Sequence, residues 1–168
     1  MHSSAGRVQL QLTLHADYSL RVLLYLAENP DRVVPTQEIS EAYSISRNHL
    51  VRVIQTLDSH SFVKVVTGRG GGVALARDPS EINLGQVIRR AESGFRIVEC
   101  FDLDTNTCPI VPACKLRGVM RKALESFFNV LDGYTLADLV QMPRGRRISD
   151  FLPAATLGAR PLGRVSER

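Results

Sequence analysis

Apolar positions recur with helical spacing in six places along this chain and with strand spacing in one stretch between them. From Thr13, a residue type that caps helices, Ala16, Leu20, Leu23, Leu24 and Ala27 form one face of a helix reaching about Asn29. Asn29-Pro30-Asp31 stops it. Pro35 and Thr36 open a short second helix through Tyr43, with Ile39 and Ala42 inward, and Ser44-Ile45 make a tight turn. Ser46 then caps a third helix whose apolar positions Leu50, Val53, Ile54 and Leu57 follow the i, i+3, i+4, i+7 pattern of a helix packed on one side. Its other side carries Arg47, Asn48, His49, Arg52, Gln55 and Thr56, all able to bond bases or phosphates. Helix, short turn, and a helix with a cationic, hydrogen-bonding first half make a helix-turn-helix, although an ordinary αα-hairpin has the same outline.

The next stretch decides between them. Phe62–Thr67 and Val73–Arg77 read as strands and Gly68–Gly72 as the turn joining them, which is the wing of a winged helix. Glycine runs also cradle nucleotide phosphates, but no G-K-[ST] follows and no helix opens there. In a wing, Gly70 lets the backbone approach DNA closely and Arg69 is placed for a phosphate or the minor groove.

Asn83 caps a helix to about Glu92, with Gln86 in capping-box position and Leu84, Val87, Ile88 and Ala91 inward. A long helix follows over Lys115–Asp132, ended by Gly133, with a broad stripe of Leu116, Val119, Met120, Ala123, Phe127 and Leu131 widened by Phe128 and Val130. So wide a stripe outside the winged-helix core predicts burial against a second copy, a homodimer suited to a palindromic operator. Packing back on its own domain is the alternative. Thr135 to Asp138 is a capping box opening a last helix to Val140. The expected fold is mainly α with a small β-hairpin: a flexible extension over 1–11, a winged helix-turn-helix over 12–78, a cysteine loop and dimerisation helix over 79–140, and a basic, disordered tail over 141–168.

Charge sharpens this reading. Residues 47–77 carry five Lys or Arg against one Asp, and residues 144–168 six Arg against one Asp and one Glu, while the remainder is net acidic. Cations gathered in two segments suit a polyanion such as double-stranded DNA. No run of eighteen apolar residues predicts a membrane span, and free thiols without a secretory leader point to the cytoplasm. Neither paired carboxylates nor a Ser/His/Asp grouping suggests an enzyme, and the four histidines are scattered.

All three cysteines lie in one polar, proline-broken loop, Cys100 to Cys114, reading C-F-D-L-D-T-N-T-C-P-I-V-P-A-C. Thiolates select zinc, copper(I) or iron–sulfur clusters. Structural zinc favours paired C-x2–4-C spacing, absent here, so a cluster is the preferred reading, with one ligand supplied from elsewhere. A disulfide with a leftover thiol, or oxidation chemistry without metal, remains possible on spacing alone. Asp17, four residues before Arg21 on the first helix, reads as an ordinary i,i+4 ion pair.

Five stretches together resemble the Rrf-type (NsrR/IscR) winged-helix family: LTLHADYSLRVLLYLA, SISRNHLVRVIQTL, the GRGGG wing, CPIVPACKL and DGYTLADLV. The likeness covers about Leu10 to Val140. It implies a dimeric DNA-binding repressor in which Cys100, Cys108 and Cys114 hold an iron–sulfur cluster, 4Fe–4S or alternatively 2Fe–2S. It further implies that Asp17 of a partner subunit is the fourth ligand, as in the nitric-oxide-sensing members. Members that respond to cluster supply or redox state are the alternative. They place a histidine three residues after the last cysteine, where this chain has Arg117. The resemblance implies that nitric oxide, by attacking the cluster, releases the operator. Ser46, Arg47, Asn48, His49, Arg52, Gln55, Arg69 and Gly70 are the expected DNA contacts.

Overall fold

A computed structural model of the chain describes residues 11–102, 104–141 and 147–152. Six α-helices and one hairpin make up most of these: α1 (Leu14–Ala27), α2 (Thr36–Tyr43), α3 (Arg47–Ser59), β1 (Val63–Val66), β2 (Gly72–Leu75), α4 (Leu84–Ala91), α5 (Lys115–Asp132) and α6 (Leu136–Val140). The winged helix-turn-helix and the mainly α class are as expected.

Helix α1 runs through the middle of the domain. Thr13 caps it by accepting from the Ala16 N–H at 3.2 Å. The helix ends at Ala27, two residues before the predicted stop, because Asn29 turns back: its Nδ2 donates to the Tyr25 carbonyl at 2.8 Å. The predicted apolar face was too narrow. Ala16, Leu23 and Ala27 are buried as expected, but so are Ser19, Val22, Tyr25 and Leu26, while Leu20 and Leu24 are only half-buried. A helix enclosed by neighbours on several sides buries more than one stripe.

Helices α2 and α3 bury the residues assigned to them: Ile39 and Ala42, then Leu50, Val53, Ile54 and Leu57. Ser44, at φ 53°, makes the left-handed turn between them. The wing pairs antiparallel, Val63 opposite Leu75 and Val66 opposite Gly72, and each strand is shorter than predicted. Val34 adds one more bridge, its N–H and carbonyl each bonding Val73 at 2.8 Å. Gly72 permits that approach. A Cβ there would lie 2.2 Å from the Val34 carbonyl oxygen.

Asn83 caps α4 through the Gln86 N–H at 3.1 Å; its amide also reaches the carbonyls of Asp132 and Tyr134 at 2.8 and 3.3 Å. Helix α5 is therefore tied at its C-terminal end. Phe128, its one buried side chain, sits edge-on to Phe95 with ring centres 4.6 Å apart, under the Arg89 guanidinium at 4.0 Å. Gly133 closes α5, as expected, in a right-handed conformation (φ −78°). The Thr135–Asp138 capping box is present, both bonds to Asp138 Oδ2 at 2.7 Å.

The segment 141–168 is expected to be a basic, disordered tail. Instead Ile148–Phe151 form a short 3-10 turn against α1, the Ile148 N–H donating to Glu28 Oε1, and Leu152 packs on the core. Apolar Leu152 contributes to this docking, which a charge count over the segment hides. Residues 142–146 and 153–168, like the extension over 1–10, lie outside the described residues.

Candidate nucleic-acid interface and cysteine loop

The N-terminal half of α3 stands free on the surface. Ser46 takes up the cap position and accepts from the His49 N–H at 3.4 Å. Arg47, Asn48, His49, Arg52 and Gln55 are exposed, while Leu50, Val53, Ile54 and Leu57 hold the opposite side in the core. Neither Arg47 nor Arg52 has a side-chain partner among the described residues, so their charge faces solvent uncompensated. Arg69 and Gly70 lie in the wing turn, where Gly68 and Gly70 take φ 97° and 79°. Those left-handed values favour glycine and let the turn reverse within a few residues.

Two contacts between α1 and α3 escaped sequence reasoning. The Tyr18 ring lies 5.9 Å from that of His49, and His15 Nε2 is 3.0 Å from Thr56 Oγ1, which itself donates to the Arg52 carbonyl at 3.2 Å. Helix α1 thereby helps to fix the orientation of α3. His15 and Thr56 are 41 residues apart, and no local pattern signals their pairing.

The cysteine loop is built from short turns. Cys100 lies in a 3-10 turn (Glu99–Phe101), and a second turn (Val111–Ala113) leads to Cys114, the residue that opens α5. Glu99 Oε1 accepts from both the N–H and the hydroxyl of Thr107 at 2.7 Å, closing the span between Cys100 and Cys108 at its base. The Thr107 bonds hold the Glu99 carboxyl below the usual carboxylate range, first through the hydroxyl and then through the backbone. Arg96 pairs with Asp102 at 2.7 Å, and the Cys108 N–H donates to Asn106 Oδ1 at 3.3 Å. Asp102 is likewise held low, by the Thr105 hydroxyl first and by Arg96 among lesser causes.

All three thiols are free and half-buried. They do not converge within the single chain. Among the described residues no three His, Cys, Asp or Glu side chains gather closely enough for a metal ion. Asp17 is spent on its own helix, pairing with Arg21 Nη2 at 2.6 Å, the ordinary ion pair its spacing suggested. The donor chemistry nonetheless fits an iron–sulfur cluster. Three cysteines of one loop, none in a disulfide, are the soft set such a cluster takes, and one position is left for a donor outside the loop.

A family model described as "Rrf2: Iron-dependent Transcriptional regulator" matches residues 12–142. The chain is 49% identical over 133 residues to the HTH-type transcriptional regulator NsrR of Bacillus subtilis, covering 79% of this chain and 91% of that one. It is 44% identical over 132 residues to the NsrR of Shouchella clausii, covering 78% and 89%. Among solved structures, T. potens IscR superposes with a TM-score of 0.63 at 28% identity, over 83% of this chain and 97% of that one. CymR, the global cysteine regulator of B. subtilis, superposes with a TM-score of 0.60 at 25% identity, over 78% and 96%. Among the described residues no helix is long and apolar enough to cross a membrane. The chain thus belongs to the Rrf2 family of iron-dependent transcriptional regulators, DNA-binding proteins and not enzymes.

Proposed function

We propose that this regulator is a homodimeric repressor of a palindromic operator, released from DNA when nitric oxide reacts with a bound iron–sulfur cluster. The observation that carries the DNA-reading half is the uncompensated, exposed face of α3 beside a glycine wing. Arg47, Asn48, His49, Arg52 and Gln55 enter the major groove, Ser46 fixes the helix start, and Arg69 and Gly70 track the backbone. Two copies read half-sites about 34 Å apart, one turn of the duplex. The exposed stripe of α5 supplies the seam between them.

Cys100, Cys108 and Cys114, with Asp17 of a partner subunit, hold the cluster, 4Fe–4S in the preferred form. When bound, it supplies iron open to attack by nitric oxide and a link between the subunits. For Asp17 to serve, it must give up Arg21. A carboxylate is a harder and weaker partner for iron than a thiolate, so Asp17 would be the most weakly held of the four donors. Once it is released, the cysteine loop loses its hold on the partner's α1, the helix that helps to fix the orientation of α3. The two reading helices then stand at the wrong separation. The NsrR name of the relatives supports this reading, as do three free thiols in one loop.

The test is operator binding by anaerobically purified protein, with the DNA selected from random sequence. Iron- and sulfide-containing protein should bind, and nitric oxide should weaken binding by about a hundredfold or more, the shift that turns a mostly occupied site mostly free. Release by iron starvation or oxidants, with nitric oxide inert, would instead favour a sensor of cluster supply or redox state. Tight binding by colourless Cys108→Ala protein would reject the switch while leaving the DNA reading intact.

A further inference from the structure

Beside the cysteine loop lies a cleft of about 360 Å³ lined by Arg96, Arg117, Arg121, Phe95, Phe101 and Leu124. Three guanidiniums share this space. Arg96 is matched by Asp102, but Arg117 and Arg121 make no ion pair or hydrogen bond with any described residue. The first turn of α5 contains no acidic side chain either. Two unmatched cations one turn apart repel each other, and cations near a helix start are disfavoured by the helix dipole. Such an arrangement makes sense when an anion shares the space.

The position says which anion. Cys114, Arg117 and Arg121 follow one another at i, i+3 and i+7, so they lie along one side of α5. Phe101, on the facing wall, is the neighbour of Cys100 in the same turn. Two of the cleft's lining residues are thus chain neighbours of cysteines, Phe101 next to Cys100 and Arg117 three residues after Cys114. A cluster held by thiolates and a carboxylate carries net negative charge, because anionic ligands outnumber the charge of the iron–sulfide core. We infer that Arg117 and Arg121 are positioning residues that compensate the charge of the thiolate-bound cluster, retaining it and setting its reduction potential. This inference rests on the cluster reading above. It differs from that reading in assigning a role to groups that are not ligands.

The test compares wild type with Arg117→Gln/Arg121→Gln, with Arg117→Lys/Arg121→Lys, and with Arg90→Gln on α4 as a control for net charge. Each is purified anaerobically, and three things are followed: iron per chain, loss of the cluster's absorbance to a chelator, and midpoint potential. Removing the charges should speed loss by about tenfold, the effect of a charge-assisted contact. It should also lower the potential, since the more negative reduced form suffers most. The lysine pair should recover most of both properties, and Arg90→Gln should match wild type. Metal-free melting curves of wild type and the glutamine pair should coincide, which separates charge compensation from misfolding. Wild-type retention and potential in the glutamine pair would overturn the inference while leaving the cluster in place. Iron-free, colourless wild-type protein would overturn the cluster reading and this inference with it.

Discussion

Arg52 and Glu38 illustrate two different uses of charge. Arg52 is exposed on α3, on the face proposed to meet DNA, and has no side-chain partner among the described residues. Arg52→Ala should lower operator affinity and, if it meets a phosphate, reduce the slope of log affinity against log salt by about one, measured by titration at several salt concentrations. Glu38 is inward and structural. It accepts from the Tyr25 hydroxyl at 2.6 Å and is gripped by both terminal nitrogens of Arg32, whose Nε bonds Asn29 Oδ1 at 3.0 Å. Burial by itself would raise the Glu38 carboxyl, but the Arg32 and Tyr25 bonds together outweigh it and hold the group low. Tyr25 is pushed well above its ordinary value, by burial first and by Glu38 second, and remains a donor. A depressed carboxyl contributes stability that is present above its unfolded value and fades as the pH falls through its folded one. Glu38→Gln should therefore cost about 1–3 kcal/mol at neutral pH. The gap between variant and wild type should close below roughly pH 4 in denaturant titrations.

Helix α5 and the wing show how elements are held in register by small numbers of close contacts. Phe128 fastens one end of α5 between Phe95 and Arg89, and Arg89 also pairs with Asp132 at 2.6 and 2.7 Å. The ion pair is about 40% exposed at each side chain and contributes little; the buried ring carries the joint. Phe128→Ala should cost about 3–5 kcal/mol, read as a lowered melting temperature. Gly72→Ala should cost about 1–3 kcal/mol and broaden the amide signals of Val34 and Val73, because the new methyl must displace backbone and cannot be absorbed by a side chain rotating away. Both elements were legible in outline, since glycine, the strand pattern and the broad apolar stripe are local signals. Their ends were less so. The wing strands stop short because pairing, not composition, ends a strand.

At the scale of the molecule, what stands out is apolar surface that no described residue covers. Leu116, Val119 and Val130 are 61%, 60% and 63% exposed along α5, although their spacing marks them as interior. Val119→Glu should leave the domain folded, shift the sedimentation coefficient to that of a monomer, and abolish tight binding to a two-fold operator while sparing weak non-specific binding. The candidate metal centre follows the same logic of incompleteness. The thiols are gathered along the sequence, yet the single chain does not bring them together in space.

The order of residues was enough for the helix caps, the buried faces of α2, α3 and α4, the glycine wing and the clustering of thiols in one loop. These rest on interactions between residues a few positions apart, so a periodic pattern reports them directly. Folding was needed to pair Tyr18 with His49, His15 with Thr56 and Glu99 with Thr107, to seat Ile148–Phe151 on α1, and to set Arg117 and Arg121 opposite Phe101. Contacts between distant segments depend on how whole elements pack, and no local spacing encodes that.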